Sequence, residues 1–398
     1  MHNSRTEARI FTSDFLWACM ANLAAFGSFY LLLATLPTFV LTIGGRESDV
    51  GVILGTFAIT AVVLRPVIGA MADRRGKKGL VLAGAVVLAI SSFLYSMTNS
   101  LPLLLALRIL HGIGWAAFGT AMSALVADIV PATRRGEAMG YFGMSTNVAM
   151  ALGPAIGVFV AVAYGYQVLF VVCALVALIA VATSVIVKDD RQVQAKPQSG
   201  PAWQTFLLPS AFFPSLVLAL SALTYASIVT FLPVYAEKHS VGNPGLFFTV
   251  FAVVLIVGRG PLGRLSDRLG RGVVIAPGLL VAGVGLAVLS WSFSMATMLM
   301  VAVLYGLAMA AIQPTLMALA VDGAGPAQRG AAMGTFSTAM DLGIGLGSFG
   351  WGVVVQAGGF GTMYLAAAAV SMVALLLLVL GGGLRREASV VPVSPPST

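Results

Sequence analysis

Apolar residues fall into twelve stretches along this chain, each about as long as a membrane crossing and each bounded by polar segments. The stretches run from 16 to 41, 50 to 72, 79 to 97, 101 to 127, 137 to 163, 166 to 187, 209 to 236, 246 to 265, 273 to 293, 297 to 321, 331 to 355 and 360 to 382. A helix needs about 20 apolar residues to cross a hydrocarbon core. The pattern predicts an all-α membrane protein with twelve transmembrane helices, called spans 1 to 12 below.

Composition and charge placement support this interpretation. The chain is 59% hydrophobic and 9% charged, whereas soluble domains average about 45 to 50% and about 25%. Seventeen of the 22 basic residues lie in segments that share the side of the N-terminus, and two lie in the opposite loops. This bias predicts a multi-pass protein of the cell (inner) membrane with both termini cytoplasmic. It also accounts for the net charge of +8 without a nucleic-acid partner.

The second half of the sequence repeats the first at an offset of 194 residues. The matched pairs include Arg65 and Arg259, Gly69 and Gly263, Asp73 and Asp267, Arg74 and Arg268, Gly76 and Gly270, and Asp128 and Asp322. Internal repeats of this kind are typical of transporters. We therefore expect two homologous six-helix bundles, at residues 1–187 and 209–398, the second ending in a short cytoplasmic tail. The polar, Pro- and Gly-containing segment 188–208 is expected to be a cytoplasmic linker.

Three motifs resemble those of one transporter family. Residues 69–78 (GAMADRRGKK) resemble the loop between spans 2 and 3 of the major facilitator superfamily, and residues 263–271 resemble its second copy. Residues 108–114 (RILHGIG) resemble the span 4 motif of proton-coupled members. Residues 153–157 (GPAIG) resemble the span 5 motif of antiporters, although Ala149 replaces the usual preceding glycine. The resemblance implies the major facilitator fold and similarity to twelve-helix drug and metabolite proton antiporters, with Gly153, Pro154 and Gly157 as the antiporter motif.

Acidic and basic residues recur together at the predicted cytoplasmic ends of both halves. Charge-assisted pairs among them would hold the two bundles together on this side and break when it opens. Ordinary anchoring by positive residues is the alternative. The predicted cytoplasmic gate comprises Arg65, Gly69, Asp73, Arg74, Gly76, Asp128, Arg259, Gly263, Asp267, Arg268, Gly270 and Asp322.

Two charged residues inside the spans have no counterpart in the other half. Arg108 of span 4 aligns with Ala302, and Asp341 of span 11 aligns with Asn147. A charge at a helix centre costs about 2.5 to 3.5 kcal/mol on insertion scales, so each should face protein or water. We expect protonation of Asp341 to alternate during transport with an ionic partner, either the substrate or Arg108; a fixed structural ion pair is the alternative. His111, one turn from Arg108, is a further proton-coupling candidate, or else a hydrogen-bonded core residue.

By the same resemblance, spans 1, 4, 7 and 10 line a central cavity. Polar and aromatic residues recur at four-residue spacing along one face of spans 1, 4 and 10. Packing within the bundles is the alternative for each of them. The predicted cavity residues are Asn22, Phe26, Tyr30, Trp115, Asn147, Thr224, Tyr225, Tyr305, Met309 and Gln313.

Nothing in the sequence indicates an enzyme, a metal site or a cofactor. Nucleotide-binding and zinc-protease motifs are absent, and Cys19 and Cys173 stand apart in separate spans. The glycine-rich residues 345–350 match the spacing of a dinucleotide fingerprint but lie within span 11, which predicts helix packing.

Taken together, these features predict a secondary active transporter that works as a monomer in the lipid bilayer. We expect proton-coupled efflux of a small organic drug or metabolite by rocking alternating access. The alternatives are a proton symporter or facilitator for uptake of a metabolite or sugar, and a non-transporting membrane receptor or enzyme on the same fold.

Overall fold

The computed structural model describes residues 10–131, 134–188, 208–291, 294–324 and 328–381. Within these ranges the protein is helical throughout and contains no strand. The helices are α1 (Ser13–Leu33), α2 (Leu36–Thr42), α3 (Glu47–Arg75), α4 (Lys78–Tyr95), α5 (Leu101–Ile129), α6 (Arg135–Tyr164), α7 (Tyr166–Ile186), α8 (Pro209–Lys238), α9 (Pro244–Leu269), α10 (Arg271–Trp291), α11 (Met295–Asp322) and α12 (Arg329–Leu380). Eleven of them are long and apolar enough to cross a membrane, which confirms the predicted all-α membrane fold.

Span 1 is shorter than its apolar stretch indicates. The prediction of one helix from 16 to 41 is wrong, because α1 ends at Leu33 and the short α2 starts at Leu36. Pro37 lies in the first turn of α2. Proline lacks a backbone N–H and disfavours helical geometry in the residue before it, so it begins a helix more readily than it continues one.

The last helix contains two spans. With 52 residues, α12 would be about 78 Å long at 1.5 Å per residue, far more than one crossing. Gly359 interrupts its helical geometry with φ 78°. Both ends of α12 lie near the start of α8: the Thr335 hydroxyl accepts a hydrogen bond from the Leu208 N–H, and Gly381 contacts Phe213. The chain therefore folds back at Gly359, and α12 comprises spans 11 and 12.

The 194-residue repeat extends to backbone geometry. Gly76 and Gly270 both adopt positive φ, 89° and 101°, where the chain leaves α3 and α9. This conformation favours glycine because a Cβ atom would clash. Ser100 and Ser294 cap α5 and α11 by accepting hydrogen bonds from backbone N–H groups at 3.4 and 3.2 Å. Equivalent positions of the two halves thus make equivalent turns.

Two helix pairs make most of the contacts between the halves: α3 with α12, and α6 with α9. Small residues allow α3 and α12 to approach closely. A Cβ atom at Gly51 would lie 2.9 Å from the Ser348 carbonyl oxygen, and one at Gly352 would lie 2.8 Å from that of Glu47. Such contacts are typical of helix packing in lipid. Residues 345–350 lie in this part of α12, which supports their predicted role in packing.

The GPAIG motif brings α6 against α1 within the first half. A Cβ atom at Gly153 would lie 3.0 Å from the Tyr30 carbonyl carbon, and one at Gly157 would lie 2.9 Å from that of Leu31. Pro154 is accommodated inside α6. The motif therefore positions Tyr30, a predicted cavity residue, through close contact of two backbones.

Candidate functional site

An ion pair joins the two halves inside the membrane. The Arg65 guanidinium of α3 donates to the Asp341 carboxylate of α12, and to the Thr338 hydroxyl at 3.1 Å. The Trp115 indole N–H makes a longer hydrogen bond of 3.4 Å to the same carboxylate. The Arg65 and Asp341 side chains are 13% and 20% exposed. Asp341 lies twelve residues into α12, about 18 Å along its axis, so this pair is well inside the hydrocarbon region.

The structure places the predicted partner of Asp341, Arg108, elsewhere. Arg108 is 1% exposed, and its guanidinium carbon lies 4.3 Å from the centroid of the Phe57 ring, a cation–π contact. It forms no ion pair with any carboxylate in the described ranges. Seven residues, about 10.5 Å along α5, separate Arg108 from Trp115, which does reach Asp341. Arg65, predicted as part of the gate, takes the position expected for Arg108.

His111 lies in the interior of the first half. Its Nδ1 atom is 3.0 Å from the Tyr95 hydroxyl, and its ring packs edge-on to Phe57. No hydrogen bond or ion pair links it to Asp341 within the described chain. This geometry fits the hydrogen-bonded core alternative, and a proton-coupling role for His111 stays a prediction.

Arg259, the repeat equivalent of Arg65, has a neutral partner. One of its terminal nitrogens donates to the Gln313 side-chain oxygen at 2.9 Å, and its buried Nε has no hydrogen-bond partner. The same Gln313 side chain also contacts the sulfur of Met340, the residue before Asp341, at 3.5 Å. The two equivalent arginines thus face the same central region, one beside a carboxylate and the other beside an amide.

A small cavity lies beside Gln313, between the two halves. It is lined by Met150, Leu218, Ser221, Ala222, Tyr225, Met309, Ile312, Gln313 and Met340. Its volume of about 10 Å³ is close to the minimum for one water molecule. Sites for organic ligands usually measure about 300 to 1,000 Å³, so a ligand requires the lining side chains or the two halves to move apart.

Three of the predicted cavity residues, Tyr225, Met309 and Gln313, line this cavity. The Gln313 amide nitrogen lies 3.5 Å from the Met340 sulfur and 3.9 Å from the Met150 sulfur. The Tyr225 hydroxyl is buried and has no hydrogen-bond partner. Flexible thioethers and one unpartnered hydroxyl group therefore surround the same space.

Four other predicted cavity residues, Asn22, Phe26, Thr224 and Tyr305, make contacts within their own half, whereas Trp115 reaches Asp341 of the other half. Asn22 donates to two hydroxyl groups of α6, both at 2.8 Å. The Thr224 and Tyr305 hydroxyls are 2.9 Å apart. Phe26 packs on the indole ring of α5 with ring centroids 4.4 Å apart, and Asn147 is half-buried. For these residues the packing alternative and the cavity alternative both stay open.

Charges at the predicted cytoplasmic ends pair within each half. Lys77 binds Asp128 in the first half. In the second half Arg271 binds both Asp267 and Asp322, at 2.6 and 3.2 Å. Lys77 and Arg271 are 194 residues apart, so the repeat itself reveals two equivalent partners that the sequence prediction missed. In the described ranges, no ion pair joins the halves at this end.

The other predicted gate residues have separate positions. Arg74 and Arg268 are exposed at the ends of α3 and α9. Nothing lies within 4 Å of a Cβ atom placed at Gly263, and Gly69 lies within α3. The Asp73 side chain falls outside the described part of the structure. The pairs seen here tie helices together inside each half, and gating between the halves stays a prediction.

At the opposite end of the molecule, an ion pair does join the halves. Lys238 at the end of α8 binds Glu47 at the start of α3. The Lys238 nitrogen also lies 6.0 Å from the centroid of the Phe360 ring. The sequence identified Lys238 only as one of two basic residues on the predicted outer side. With a tie between the halves on this side and none described on the other, the arrangement fits a conformation closed towards the outside.

The chain is similar in sequence to membrane transporters over most of its length. A family model described as Major Facilitator Superfamily matches residues 18–247 and 239–396. An uncharacterised MFS-type transporter of Methanocaldococcus jannaschii is 26% identical over 343 residues, covering 83% of this chain and 88% of that protein. Multidrug resistance protein 2 of Bacillus subtilis is 27% identical over 334 residues, covering 80% and 83% respectively.

The fold is also that of a solved transporter. A crystal structure of a mutant of the nucleoside transporter NupG matches with a TM-score of 0.71, covering 92% of this chain and 99% of that one. Sequence identity is 15%, so this likeness concerns the arrangement of helices alone.

Proposed function

Because the chain belongs to the Major Facilitator Superfamily and is a multi-pass membrane transporter, we propose that it exports small organic molecules in exchange for protons. Export proceeds by alternating access, in which the two halves rock about a central site. The cell membrane is the proposed location, and the proton gradient across it is the proposed source of energy.

The observation that carries this proposal is the Arg65–Asp341 pair. It links α3 to α12 across the two halves inside the membrane. A proton on Asp341 removes the negative charge that holds Arg65. The attraction within an ion pair in a low-dielectric environment requires that both members stay charged. Protonation of Asp341 therefore weakens the link between the halves. Proton binding and movement of the halves are therefore coupled through one carboxylate.

The proposed cycle follows from that coupling. The empty, deprotonated protein is held by Arg65 and Asp341. A proton from outside releases Arg65, the halves rearrange, and the proton leaves on the inside. Substrate that binds from the inside must also separate Arg65 from Asp341. Each reorientation of the two halves then requires either a bound proton or a bound substrate molecule. Per cycle, one proton then enters while substrate leaves.

The cavity lining supports a small organic substrate. Three thioethers, from Met150, Met309 and Met340, surround it together with the Tyr225 ring. Methionine side chains adapt to ligands of different shape, and they recur at promiscuous binding surfaces. One relative bears the name multidrug resistance protein, which agrees with a drug or metabolite as substrate.

The test is flux in proteoliposomes with an imposed pH gradient, using two probes: naphthalenesulfonate and naphthyltrimethylammonium. With the interior acidic, antiport predicts faster uptake of the transported probe. Asp341→Asn should abolish that acceleration while retaining probe-for-probe exchange, which needs no proton. Glu237→Gln, which neutralises an exposed carboxylate at the end of α8, is the matched control and should respond to pH as the natural protein does. Acceleration by the gradient that persists in Asp341→Asn would contradict the proposal.

Proton symport for uptake is a second candidate, and one observation favours it. Arg65, Arg108 and Arg259 outnumber Asp341 among the charges inside the spans. A proton on Asp341 and an anionic substrate would then bind together rather than in turn. The same liposomes distinguish the two, because symport predicts faster uptake when the exterior is acidic.

A further inference from the structure

The central region carries a positive charge that no described carboxylate balances. Asp341 pairs with Arg65, which leaves Arg259 beside the neutral side chain of Gln313. The Arg259 Nε atom is buried without any hydrogen-bond partner. An unbalanced guanidinium inside a membrane protein is costly, so its presence at this position calls for a compensating group.

Arg108, the other arginine inside the spans that pairs with no described carboxylate, also has a buried Nε atom without a hydrogen-bond partner, but its surroundings differ from those of Arg259. Arg108 is enclosed within the first half and lies over the face of the Phe57 ring, which compensates a cation. Arg259 lies instead at the edge of the cavity, because its partner Gln313 lines it. The Tyr225 hydroxyl, also buried and unpartnered, belongs to the same lining. Two side chains therefore have unused hydrogen-bond donors: Tyr225 in the cavity lining, and Arg259 on the Gln313 side chain that belongs to the same lining.

We propose that the substrate carries an anionic group, a carboxylate, phosphate or sulfonate, and that Arg259 binds it. A guanidinium presents a planar set of N–H donors that matches the oxygens of such groups. The Tyr225 hydroxyl supplies a further donor, and the Met side chains of the cavity contact the apolar body of the ligand. The substrate class is thus an amphipathic organic anion. This inference rests on the proposed function only for the transport of the substrate across the membrane. The inference itself concerns which substrate binds.

The described part of the chain offers a cationic substrate no comparable site. Its one carboxylate beside the cavity lining, Asp341, already accepts hydrogen bonds from Arg65 and Trp115. A cation would have to displace Arg65 and remain close to Arg259, at an electrostatic cost. An anion at Arg259, in contrast, attracts Arg65 away from Asp341. Bound anion and bound proton then have the same effect on the link between the halves, as exchange requires.

Equilibrium binding to the purified full chain in lipid nanodiscs tests the assignment with three probes of similar size. These are naphthalenesulfonate, naphthyltrimethylammonium and naphthol, and the sulfonate keeps its charge throughout the neutral pH range. We expect naphthalenesulfonate to bind most tightly. Tighter binding of the ammonium probe would overturn the inference, and so would equal binding of all three.

Variants of Arg259 locate the site. Arg259→Gln should weaken naphthalenesulfonate binding about tenfold or more. Arg259→Lys keeps the charge but loses the planar donors, so its affinity for naphthalenesulfonate should lie between those of the natural protein and Arg259→Gln. Tyr225→Phe removes one hydroxyl and should weaken binding about threefold. Arg264→Gln, an exposed arginine on the same helix, is the matched control for loss of one charge. Unchanged sulfonate binding in folded Arg259→Gln would overturn the assignment.

The binding experiment separates this inference from the proposed function. Binding needs neither a gradient nor movement of the halves. Tight sulfonate binding without pH-dependent flux of any probe contradicts the proposed function alone. Flux that depends on Asp341 but favours the ammonium probe contradicts the anionic substrate alone. If Arg259→Gln does not fold, the ranking of the three probes on the natural protein still decides the question.

Discussion

Asp341 depends on a partner that is 276 positions away in sequence and belongs to the other half. Removing either member of the pair leaves the other charged and poorly solvated, whereas removing both leaves two neutral groups. The pair is partly reached by solvent, which moderates the cost. Its energetics therefore differ from those of a surface ion pair and are open to a direct test.

Arg65→Gln and Asp341→Asn should each destabilise the protein by about 1 to 3 kcal/mol. The double variant should lose less than the sum of the two, with a coupling free energy of about 1 kcal/mol or more. Unfolding in mixed detergent micelles measures all three differences. Additive losses would mean that the two side chains do not stabilise each other.

Part of this site was predictable from the residues alone. The absence of a counterpart at Asn147 identified Asp341 as a candidate functional carboxylate, and the structure places it at the contact between the halves. Its partner was not predictable, because Arg108 is equally unmatched whereas Arg65 has a repeat equivalent and so resembles a symmetric gate residue. The contact between α3 and α12 that selects Arg65 exists only in three dimensions.

Helix positions follow closely from the apolar pattern, and the deviations have local causes. Pro37 was visible inside span 1, yet its effect on the helix depends on the tertiary position of α2. Gly359 falls between predicted spans 11 and 12, as the sequence indicated. Helix contacts are less predictable, because the glycines at 153 and 157 reveal close packing without revealing which helix they approach.

Gly157→Ala tests the contact between α6 and α1. The added methyl group would meet the backbone of Leu31, and we expect a loss of about 1 to 3 kcal/mol from overpacking. Gly140→Ala on the same helix is the matched control, since nothing lies within 4 Å of its added atom. There, the better helix propensity of alanine should leave stability unchanged or raise it by up to about 1 kcal/mol. Equal melting temperatures for the two variants would exclude the contact as a source of stability.

Ion pairs join the two halves of the molecule at two depths. Glu47 binds Lys238 at the predicted outer end, and Arg65 binds Asp341 inside the membrane. Alternating access requires both ties to break and re-form. The repeat predicted the symmetry of the halves, but a pair such as Glu47 and Lys238 lies outside the repeat and only the packed structure reveals it.

Cross-linking tests whether the outer tie must open. A short bifunctional maleimide should join Glu47→Cys to Lys238→Cys and reduce probe flux about tenfold or more, because the outer side can then no longer open. Each single cysteine variant, treated in the same way, should retain its flux and so controls for labelling at Cys19 and Cys173. Full flux through completely cross-linked protein would show that the outer ends of α3 and α8 stay together throughout transport.

Proton movement driven by substrate tests proton-coupled exchange most directly. Proteoliposomes that contain a pH-sensitive dye, with the membrane potential clamped, receive naphthalenesulfonate outside. Exchange predicts that the interior becomes alkaline as the probe enters and protons leave, and that Asp341→Asn abolishes this change. An interior that becomes acidic, or a pH response that is the same in Asp341→Asn, would contradict proton exchange through Asp341.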